Sequence, residues 1–354
     1  MNAQFTRHEL IFKQASGTSR GVLTTKETYL LEISKNGQKG IGECAIFRGL
    51  SYDDVPDYEE KLTWLCKNIN LDFEVLKKEL LHYPSIIFGL EQALLNLEHG
   101  EDLYFPSDFT DGKDSIKING LIWMGNADFM QSQIEEKLAK GFDCIKLKIG
   151  VDWKSEKEII KKLREKFPKE QLELRVDANG AFSYEEARMV LQELADLGIH
   201  SIEQPIKKSE VRSPKSEENS EINSTDYCVP WNEMAKLCAE TPTPIALDEE
   251  LIGIIDFEEK KKLLETIKPQ YIILKPALVG GFSGSDEWIA IAESLGINWW
   301  ITSALESNIG LNAICQYTYT KKNPLPQGLG TGALFTNNFE THLQLEGDQM
   351  WHKK

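Results

Sequence analysis

The sequence has few cysteines, and they form no recognisable pattern. The six cysteines are scattered, and none belongs to a Cys-x-x-Cys pair or combines with the six histidines in a zinc-finger spacing. Scattered cysteines are typical of reduced proteins and indicate neither a disulfide framework nor a structural zinc site. We therefore expect a cytoplasmic protein.

Long apolar runs are also absent. The N-terminal stretch MNAQFTRHELIFKQ has no apolar segment long enough for a signal peptide. No apolar stretch of about 18 residues, the length that a membrane-spanning helix needs, occurs anywhere in the chain. These absences predict a protein without membrane insertion.

Positive charge is in deficit. The 40 lysines and arginines face 56 aspartates and glutamates, which gives a formal net charge of −16. This balance argues against a nucleic-acid or anionic-membrane partner, because both require a basic face. A small carboxylate substrate stays possible, since a site can be locally positive. The length of 354 residues allows one barrel-sized domain or more than one, and the sequence gives no oligomeric state.

What the chain does contain is an alternation of two kinds of segment. Runs rich in β-forming residues are SIKINGLIW (115–123), CIKLKIG (144–150), ELRVDAN (173–179), SIEQP (201–205), PIALDEE (244–250), YIILKPA (271–277), NWWITSALES (298–307) and, more weakly, LPQGLGT (325–331). Between them lie segments whose apolar residues recur every three or four positions, such as WKSEKEIIKKLREKF and SYEEARMVLQELADLG. Alternation of this kind predicts βαβ units and a parallel sheet.

The repeat advances by a regular step. Successive polar residues near strand ends are 26 to 29 residues apart, at Lys148, Asp177 and Glu203, and again at Asp248, Lys275 and Ser303. The step from Glu203 to Asp248 is 45 residues and contains the polar segment 207–228, which predicts a solvated insertion. The favoured architecture is an α/β barrel, with an open doubly wound sheet as the alternative. No Gly-x-Gly-x-x-Gly follows the first strands, which disfavours a dinucleotide-binding sheet.

The first part of the chain does not follow this step. The segment TYLLEISKNGQKGIGECAIF alternates around Asn36-Gly37, a strong hairpin signal, and YEEKLTWLCKNI and SIIFGLEQALLNLEHG are helical. We predict an α+β capping domain over 1–112, completed by the tail 335–354. The barrel then spans 113–334 and carries the insertion 207–228.

The residues at the strand ends suggest a metal site. In a parallel barrel these positions meet at one mouth, where this chain has Lys146 and Lys148, then Asp177, Glu203 and Asp248, then Lys275. Three carboxylates without histidine or cysteine suit Mg²⁺, with Mn²⁺ as a possible substitute. A lysine close to a dication or to a second lysine loses basicity and can act as a general base, so we expect lowered lysine pKa values here.

Simpler explanations exist for each motif taken alone. A single acidic residue at a strand end is often a helix N-cap, Asp177-Ala-Asn-Gly could be only a turn, and the two lysines could end a solvated edge strand. The glycine-rich segment 280–284 could cradle an anion or form an ordinary βα turn. The full set at a regular step is harder to explain structurally.

Together these motifs resemble the enolase superfamily, in particular its lysine-based, muconate-lactonizing branch. The matching motifs are Lys-x-Lys, Asp-Ala-Asn, Glu-Gln-Pro, Leu-Asp-Glu and Lys-Pro followed by Gly-Gly, on five successive strands. The resemblance implies a (β/α)₇β modified TIM barrel with an N-terminal capping domain. Within the branch, SGTSRGVL (16–23), GECAIFRGLSYD (42–53), RVDAN (175–179) and SALESNIGLNAI (303–314) look most like the o-succinylbenzoate synthase family.

The resemblance also implies residue roles. Asp177, Glu203 and Asp248 would hold Mg²⁺. Lys148 would be the base, and Lys275 would be its counterpart on the opposite face of the substrate ring. Lys146 would orient Lys148. Weaker candidates for substrate contact are Arg175, Asn179, Ser303, Ser19, Arg20 and Gly332.

The implied reaction is Mg²⁺-dependent removal of the proton α to a carboxylate through an enediolate, followed by loss of water. Racemisation of N-succinylamino acids, or another lysine-type racemisation or cycloisomerisation, is the alternative; a catalytically silent metal- or partner-binding barrel is a third. The eighth strand lacks the Asp-x-Asp of dipeptide epimerases, and Ser303 stands where the mandelate racemase branch has histidine. Both departures argue against those two activities.

Overall fold

The computed structural model describes residues 1–18, 21–123, 127–208 and 229–353. The chain opens with an antiparallel meander of three strands, β1 (Asn2–Thr18), β2 (Gly21–Lys35) and β3 (Gln38–Cys44). Lys35 pairs with Gln38 around Asn36 and Gly37, whose φ angles are 51° and 81°. This is the two-residue turn with positive φ at both positions that Asn-Gly favours, so the predicted hairpin is confirmed.

Three helices complete the N-terminal unit. They are α1 (Tyr58–Asn68), α2 (Phe73–Glu79) and α3 (Pro84–His99). The two predicted helices correspond to α1 and α3, whose apolar faces bury Leu62, Leu65 and Leu90 against strand residues such as Leu31. Gly42 allows α3 to lie close to β3, since a Cβ there would be 1.9 Å from the carbonyl oxygen of Gly89.

Strands and helices then alternate, as the repeat predicted. In chain order they are β4 (Ile116–Lys117), β5 (Gly120–Ile122), α4 (Ala127–Ala139), β6 (Cys144–Lys148), α5 (Trp153–Lys166), β7 (Glu173–Asp177), α6 (Tyr184–Asp196), β8 (Ser201–Glu203), α7 (Val229–Glu240), β9 (Ile245–Leu247), α8 (Phe257–Ile267), β10 (Tyr271–Leu274), α9 (Pro276–Val279), α10 (Gly281–Ser294), β11 (Asn298–Ile301) and α11 (Asn308–Lys321). The predicted insertion 207–228 lies outside the described residues, apart from Lys207 and Lys208.

Seven strands form a parallel sheet in the order β5 to β11, and a short segment closes it into a barrel. Gln327 bridges to Ile118 and Gly328 to Thr302, both in parallel sense. Gly328 is required at this seam, because a Cβ there would lie 1.5 Å from Thr302 Oγ1. The weak eighth strand of the sequence analysis is therefore this closing segment, and the predicted modified TIM barrel is confirmed.

The C-terminal tail contacts both parts of the molecule. Phe335 bridges to Phe12 of β1, and the backbone N–H of Thr336 donates to the Ile11 carbonyl (2.8 Å). Farther on, β12 (Leu343–Glu346) and β13 (Gln349–His352) form a hairpin that pairs with β4 instead. The start of the tail thus lies against β1, and the hairpin finds its hydrogen-bonding edge at β4. The predicted boundary near residue 112 stays a prediction.

The glycine-rich segment after β10 binds a carboxyl group supplied by the protein itself. Glu91 of α3 accepts hydrogen bonds from the backbone N–H groups of Phe282 (2.5 Å) and Ser283 (3.1 Å), at the first turn of α10. A Cβ on Gly281 would lie 2.2 Å from Glu91 Oε2, so the glycine makes room for the carboxyl group. The segment 280–284 thus forms a βα turn whose backbone N–H groups receive the carboxyl group of Glu91.

Within the described residues, we find no helix that combines the length and the apolar character needed to span a bilayer.

Candidate active site

Three neighbouring strands deliver charged residues to the same level of the barrel. Lys148 at the end of β6 pairs in register with Asp177 at the end of β7, and Asp177 with Glu203 at the end of β8. Because side chains alternate along a strand, Ile145 and Leu147 of β6 join the apolar core between sheet and helices. Lys146 and Lys148 therefore point into the barrel, as the alternation in CIKLKIG predicted.

Lys146 lies between two carboxylates, so its main contacts are ion pairs and not repulsion from Lys148. Its Nζ is 2.6 Å from Glu203 Oε2 and 3.1 Å from Asp177 Oδ2, and the residue is 8% exposed. Burial lowers the pKa of Lys146, but the charges of Asp177 and Glu203 outweigh it and raise the pKa above its ordinary value. The sequence reasoning did not foresee these ion pairs, and the lowering that it expected beside a bound metal ion stays a prediction.

The three carboxyl groups at the mouth are almost completely buried. Asp177, Glu203 and Asp248 are only 1–2% exposed. Burial raises the pKa of Glu203 and the negative charge of Asp177 raises it further, whereas burial and the charge of Lys146 act in opposite directions on the pKa of Asp177, which is held low. Burial likewise raises the pKa of Asp248. The negative charges of Asp177 and Asp248 thus both act to raise the pKa of Glu203.

This donor set fits a hard divalent cation. Glu203 Oε1 is buried and receives no hydrogen bond from any residue that the structure describes. A buried carboxylate oxygen without a donor is costly, and a cation shared among Asp177, Glu203 and Asp248 would relieve both this cost and the mutual repulsion. Oxygen-only donors of this kind suit Mg²⁺.

Lys148 is held by the turn that follows β7. Its Nζ donates to Asn179 Oδ1 (2.6 Å) and lies 3.1 Å from Asp177 Oδ2. Asn179 has a left-handed backbone with φ of 44°, and its Nδ2 donates to Glu249 Oε1 (3.1 Å). Asparagine tolerates this conformation better than most residues. The Asp-Ala-Asn-Gly turn therefore positions Asp177 and Asn179, the two residues to which Lys148 donates.

Lys275 approaches from the other side of the mouth. It follows β10, which three strands separate from the β6 strand of Lys148, and its Nζ pairs with Asp248 Oδ2. Burial lowers the pKa of Lys275, but Asp248 and the other carboxylates raise it above its ordinary value. Lys148, Lys275, Asp177 and Asn179 all line one pocket.

The pocket has an apolar wall that the sequence reasoning missed. Phe47 and Leu50 come from the N-terminal unit, and Leu121 and Trp123 from the first barrel strand and the residue that follows it. Phe47 and Leu50 belong to the motif GECAIFRGLSYD, so its likeness to a family motif was the only signal for them. Their contact with the barrel is long-range and leaves no periodic trace in the sequence.

Ser303 also lines the pocket. Its hydroxyl lies 2.5 Å from the hydroxyl of Thr331, across the seam that closes the barrel. The predicted contact of Ser303 with substrate is therefore geometrically open, and Thr331 is a further candidate beside it.

Other predicted contacts lie elsewhere. Arg175 is 1% exposed and does not line the pocket; its Nε is 2.7 Å from Glu173 Oε1, its Nη1 donates to the Pro326 carbonyl (2.8 Å), and its guanidinium lies 4.3 Å from the centre of the Trp300 ring. It points inward like Asp177 but lies one layer deeper. Gly332 does not line the pocket, and a Cβ there would lie 3.1 Å from Asn308 Oδ1 and from Leu311 Cδ2. Ser19 and Arg20 lie outside the described residues.

Comparison with known proteins agrees with this arrangement. A family model described as enolase C-terminal domain-like matches residues 130–216 and 228–349, more than half of the chain. The chain belongs to the enolase C-terminal domain-like family. The resemblance to the enolase superfamily that the strand-end motifs indicated is thus confirmed.

Two proteins of known name and one solved structure are similar to this chain over most of its length. The chain is 42% identical to the o-succinylbenzoate synthase of Desulfotalea psychrophila, across 98% of both chains. It is 33% identical to the N-succinylamino acid racemase of Thermus thermophilus, across 85% of this chain and 78% of that one. The crystal structure of MenC from Desulfotalea psychrophila has a TM-score of 0.84 and 40% identity, covering 99% of each chain.

Proposed function

We propose that this chain is an o-succinylbenzoate synthase of menaquinone biosynthesis. The reaction is the dehydration of 2-succinyl-6-hydroxy-2,4-cyclohexadiene-1-carboxylate to 2-succinylbenzoate, which makes the enzyme a carbon–oxygen lyase. The observation that carries the proposal is the 42% identity to a synthase of that name over 98% of both chains. Fold alone would not decide, since racemases share this architecture.

The proposed base is Lys148. In its neutral form, Nζ would take the proton from the carbon α to the substrate carboxylate, and the electron pair of the C–H bond would move into the carboxylate system. The resulting ammonium would return this proton to the hydroxyl that leaves from the same face. The carbon–oxygen bond breaks, water departs and the ring becomes aromatic, so atoms and electrons balance. The contacts of Lys148 with Asn179 and Asp177 support this role, because they fix Nζ at the pocket wall.

A divalent cation, Mg²⁺ in our proposal, would be held by Asp177, Glu203 and Asp248 and would supply positive charge where the substrate carboxylate gains electrons. Lys146 would position two of these carboxylates, since it pairs with both Asp177 and Glu203. Lys275, charged through its pair with Asp248, would lie against the opposite face of the ring and contribute a cation–π contact.

The pocket wall suits this substrate. Phe47, Leu50 and Trp123 offer apolar surface for a six-carbon ring, and Ser303 and Thr331 offer hydroxyl groups. Sites of this kind, mostly apolar with a few fixed polar groups, are typical of small-molecule enzymes. We expect no nucleic-acid partner, and the cytoplasmic location stays a prediction.

The proposal is tested by mixing the purified chain with the cyclohexadiene carboxylate and Mg²⁺ and following the diene absorbance. We expect rapid loss of this absorbance with formation of 2-succinylbenzoate, and no loss when excess chelator is present. Absence of turnover in Mg²⁺, or equal turnover in chelator, would contradict the proposal.

Racemisation of N-succinylamino acids is the second candidate, favoured by the 33% identity to a racemase of that name and by lysines on both sides of the mouth. It requires Lys148 and Lys275 as acid and base on opposite faces. Incubation of an N-succinylamino acid in D₂O separates the two functions. Deuterium uptake at Cα at a rate comparable to diene dehydration would show both activities, and uptake without dehydration would replace our proposal.

A further inference from the structure

A second cluster of potential metal ligands lies where the linker after α3 meets the C-terminal hairpin, and none of its residues lines the pocket. Asp102, His342 and His352 each offer one ligand atom, and these three atoms lie within 4.8 Å of one another. Asp102 Oδ2 is 2.6 Å from His342 Nδ1 and 3.1 Å from His352 Nε2. Spacing in the sequence could not reveal this group, because 240 residues separate Asp102 from His342.

The three side chains differ in accessibility in a way that suits a bound ion. His352 is 0% exposed, whereas the side chains of Asp102 and His342 are 28% and 43% exposed. One side of the cluster is therefore embedded in protein, next to the Phe109 ring at 5.9 Å, and the other side is open for entry of an ion. Asp102 Oδ1 and His352 Nδ1 are buried and have no hydrogen-bond partner in the described ranges.

The backbone around the cluster is fixed by bonds that do not involve the three ligand atoms. The Asp102 carbonyl accepts from Asn312 Nδ2 (2.9 Å) and Gln316 Nε2 (2.8 Å) of α11. The His342 carbonyl accepts from the Lys353 N–H (2.8 Å), which extends the hairpin that contains His352. The backbones of Asp102 and His342 are thus tied to α11 and to the hairpin, which favours a defined site.

We propose that Asp102, His342 and His352 bind a borderline divalent cation, Zn²⁺ foremost, that fastens the C-terminal hairpin to the linker. Imidazole nitrogens with one carboxylate favour Zn²⁺ over Mg²⁺. In a tetrahedral site with metal–ligand bonds of about 2.0–2.1 Å, ligand atoms are about 3.3 Å apart. The present contacts of 2.6 and 3.1 Å reach that spacing by a movement of under about 1 Å. Solvent supplies the fourth ligand on the open side.

The test is Zn²⁺ titration of the full chain by calorimetry with the Mg²⁺ site already saturated with Mg²⁺. We expect uptake of one Zn²⁺ per chain and a rise in Tm, since a ligand that binds only the folded state stabilises it. His342→Ala should weaken this binding by at least about 100-fold, because even loss of an outer partner of a metal ligand costs 10–100-fold. His99→Ala, an exposed histidine at the end of α3, is the matched control and should bind Zn²⁺ as the wild type does.

Asp102→Asn distinguishes a metal site from a cluster that only links the linker and the hairpin by hydrogen bonds. An asparagine carbonyl still accepts from both imidazoles, so those hydrogen bonds would survive. Loss of the carboxylate charge should reduce Zn²⁺ affinity by at least about tenfold. Replacement of Zn²⁺ by Co²⁺ gives a second readout through the visible absorption of a tetrahedral site. No Zn²⁺ uptake by the Mg²⁺-loaded wild type, or equal uptake by the wild type and Asp102→Asn, would overturn the inference.

Discussion

The mouth of the barrel and the layer below it both contain buried charged residues, but the surroundings of these residues differ. Strand β7 carries both: Asp177 at its end lines the pocket, and Arg175, two residues earlier, lies about 7 Å deeper on the same inward face. Arg175 contacts only protein groups, namely Glu173, the Pro326 carbonyl and the Trp300 ring. Asp177 instead shares a pocket with Lys146, Lys148 and Lys275, and its negative charge raises the pKa of Glu203.

The difference teaches that buried charge alone does not mark a functional site. The deeper Arg175 meets a carboxylate, a backbone carbonyl and an aromatic ring, although its buried Nη2 finds no hydrogen-bond partner among the described residues. At the mouth, three carboxyl groups converge, one buried oxygen of Glu203 receives no hydrogen bond from the described residues, and the lysines face an opening. We therefore expect substitutions at the mouth to remove activity and substitutions in the deeper layer to remove stability.

The largest expected effect is at the metal site. Asp248→Asn keeps the size of the side chain but removes one negative charge from the proposed ligand set. We expect diene turnover to fall by at least about 10³-fold, since a Lewis-acid contribution of several kcal/mol is worth that much. Calorimetry should show loss of Mg²⁺ binding in parallel. Turnover within tenfold of the wild type would contradict the proposed ligand role.

The deeper layer provides the opposite test. Arg175→Met should lower the free energy of unfolding by about 2–4 kcal/mol, because the buried Pro326 carbonyl and Glu173 lose charged donors. Urea denaturation measures this loss, and kcat should stay within a few-fold of the wild type while the protein is folded. Arg188→Met, at a side chain that is 51% exposed, is the control and should change the unfolding free energy by under about 0.5 kcal/mol. A collapse of kcat in folded Arg175→Met would mean that this layer also serves the chemistry.

The buried carboxyl group of Glu91, at the glycine-rich turn, should make the stability of the protein depend on pH. Burial raises the pKa of Glu91 to about 7, against opposing hydrogen bonds from Ser283 and Phe282. The folded state therefore binds a proton that the unfolded state has released, so this contribution to stability is full below about pH 4.5 and lost as pH rises through about 7. Relative to Glu91→Gln, the wild type should lose about 2–3 kcal/mol of unfolding free energy over this range.

The measurement is urea denaturation of the wild type and Glu91→Gln at several pH values, with the difference plotted against pH. Glu98→Gln, an exposed glutamate on the same helix, serves as the control and should give no such trend. A difference that stays constant, or in which the wild type gains stability as pH rises, would show that Glu91 is ionised throughout.

The smallest effect is expected at the apolar wall of the mouth. Leu50→Ala removes part of the surface that the N-terminal unit presents to the pocket, and we expect KM for the diene to rise about tenfold, from about 1–2 kcal/mol of lost apolar contact. Leu71→Ala, at a side chain that is 43% exposed, is the control and should leave KM unchanged. An unchanged KM in Leu50→Ala would remove this wall from the binding site.

The sequence predicted those features that depend on periodicity. The period of two in CIKLKIG predicted the inward face of Lys146 and Lys148. The regular step predicted that Asp177 and Lys275 reach the same mouth and that Glu203 lies beside Asp177. Alternation gives the face of a side chain but not its depth, which is why the expected substrate contact of Arg175 lies outside the pocket.

Contacts between distant segments could not be predicted in this way. The pairing of the C-terminal hairpin with β4 depends on which strand edge is free after folding, and the positions of Phe47 and Leu50 depend on how the N-terminal unit docks. The ion pairs of Lys146 with Glu203 and Asp177 were unforeseen for the same reason, since they join three different strands.

The central claim is that Lys148 takes the proton, and the rate of diene loss in Lys148→Ala at saturating Mg²⁺ tests it most directly. Mg²⁺ binding is measured in the same samples, and Lys154→Ala, an exposed lysine of α5, is the control. We predict a fall in kcat of at least about 10³-fold for Lys148→Ala, with Mg²⁺ stoichiometry retained and Lys154→Ala fully active. Turnover by Mg²⁺-loaded Lys148→Ala within tenfold of the wild type would contradict the claim.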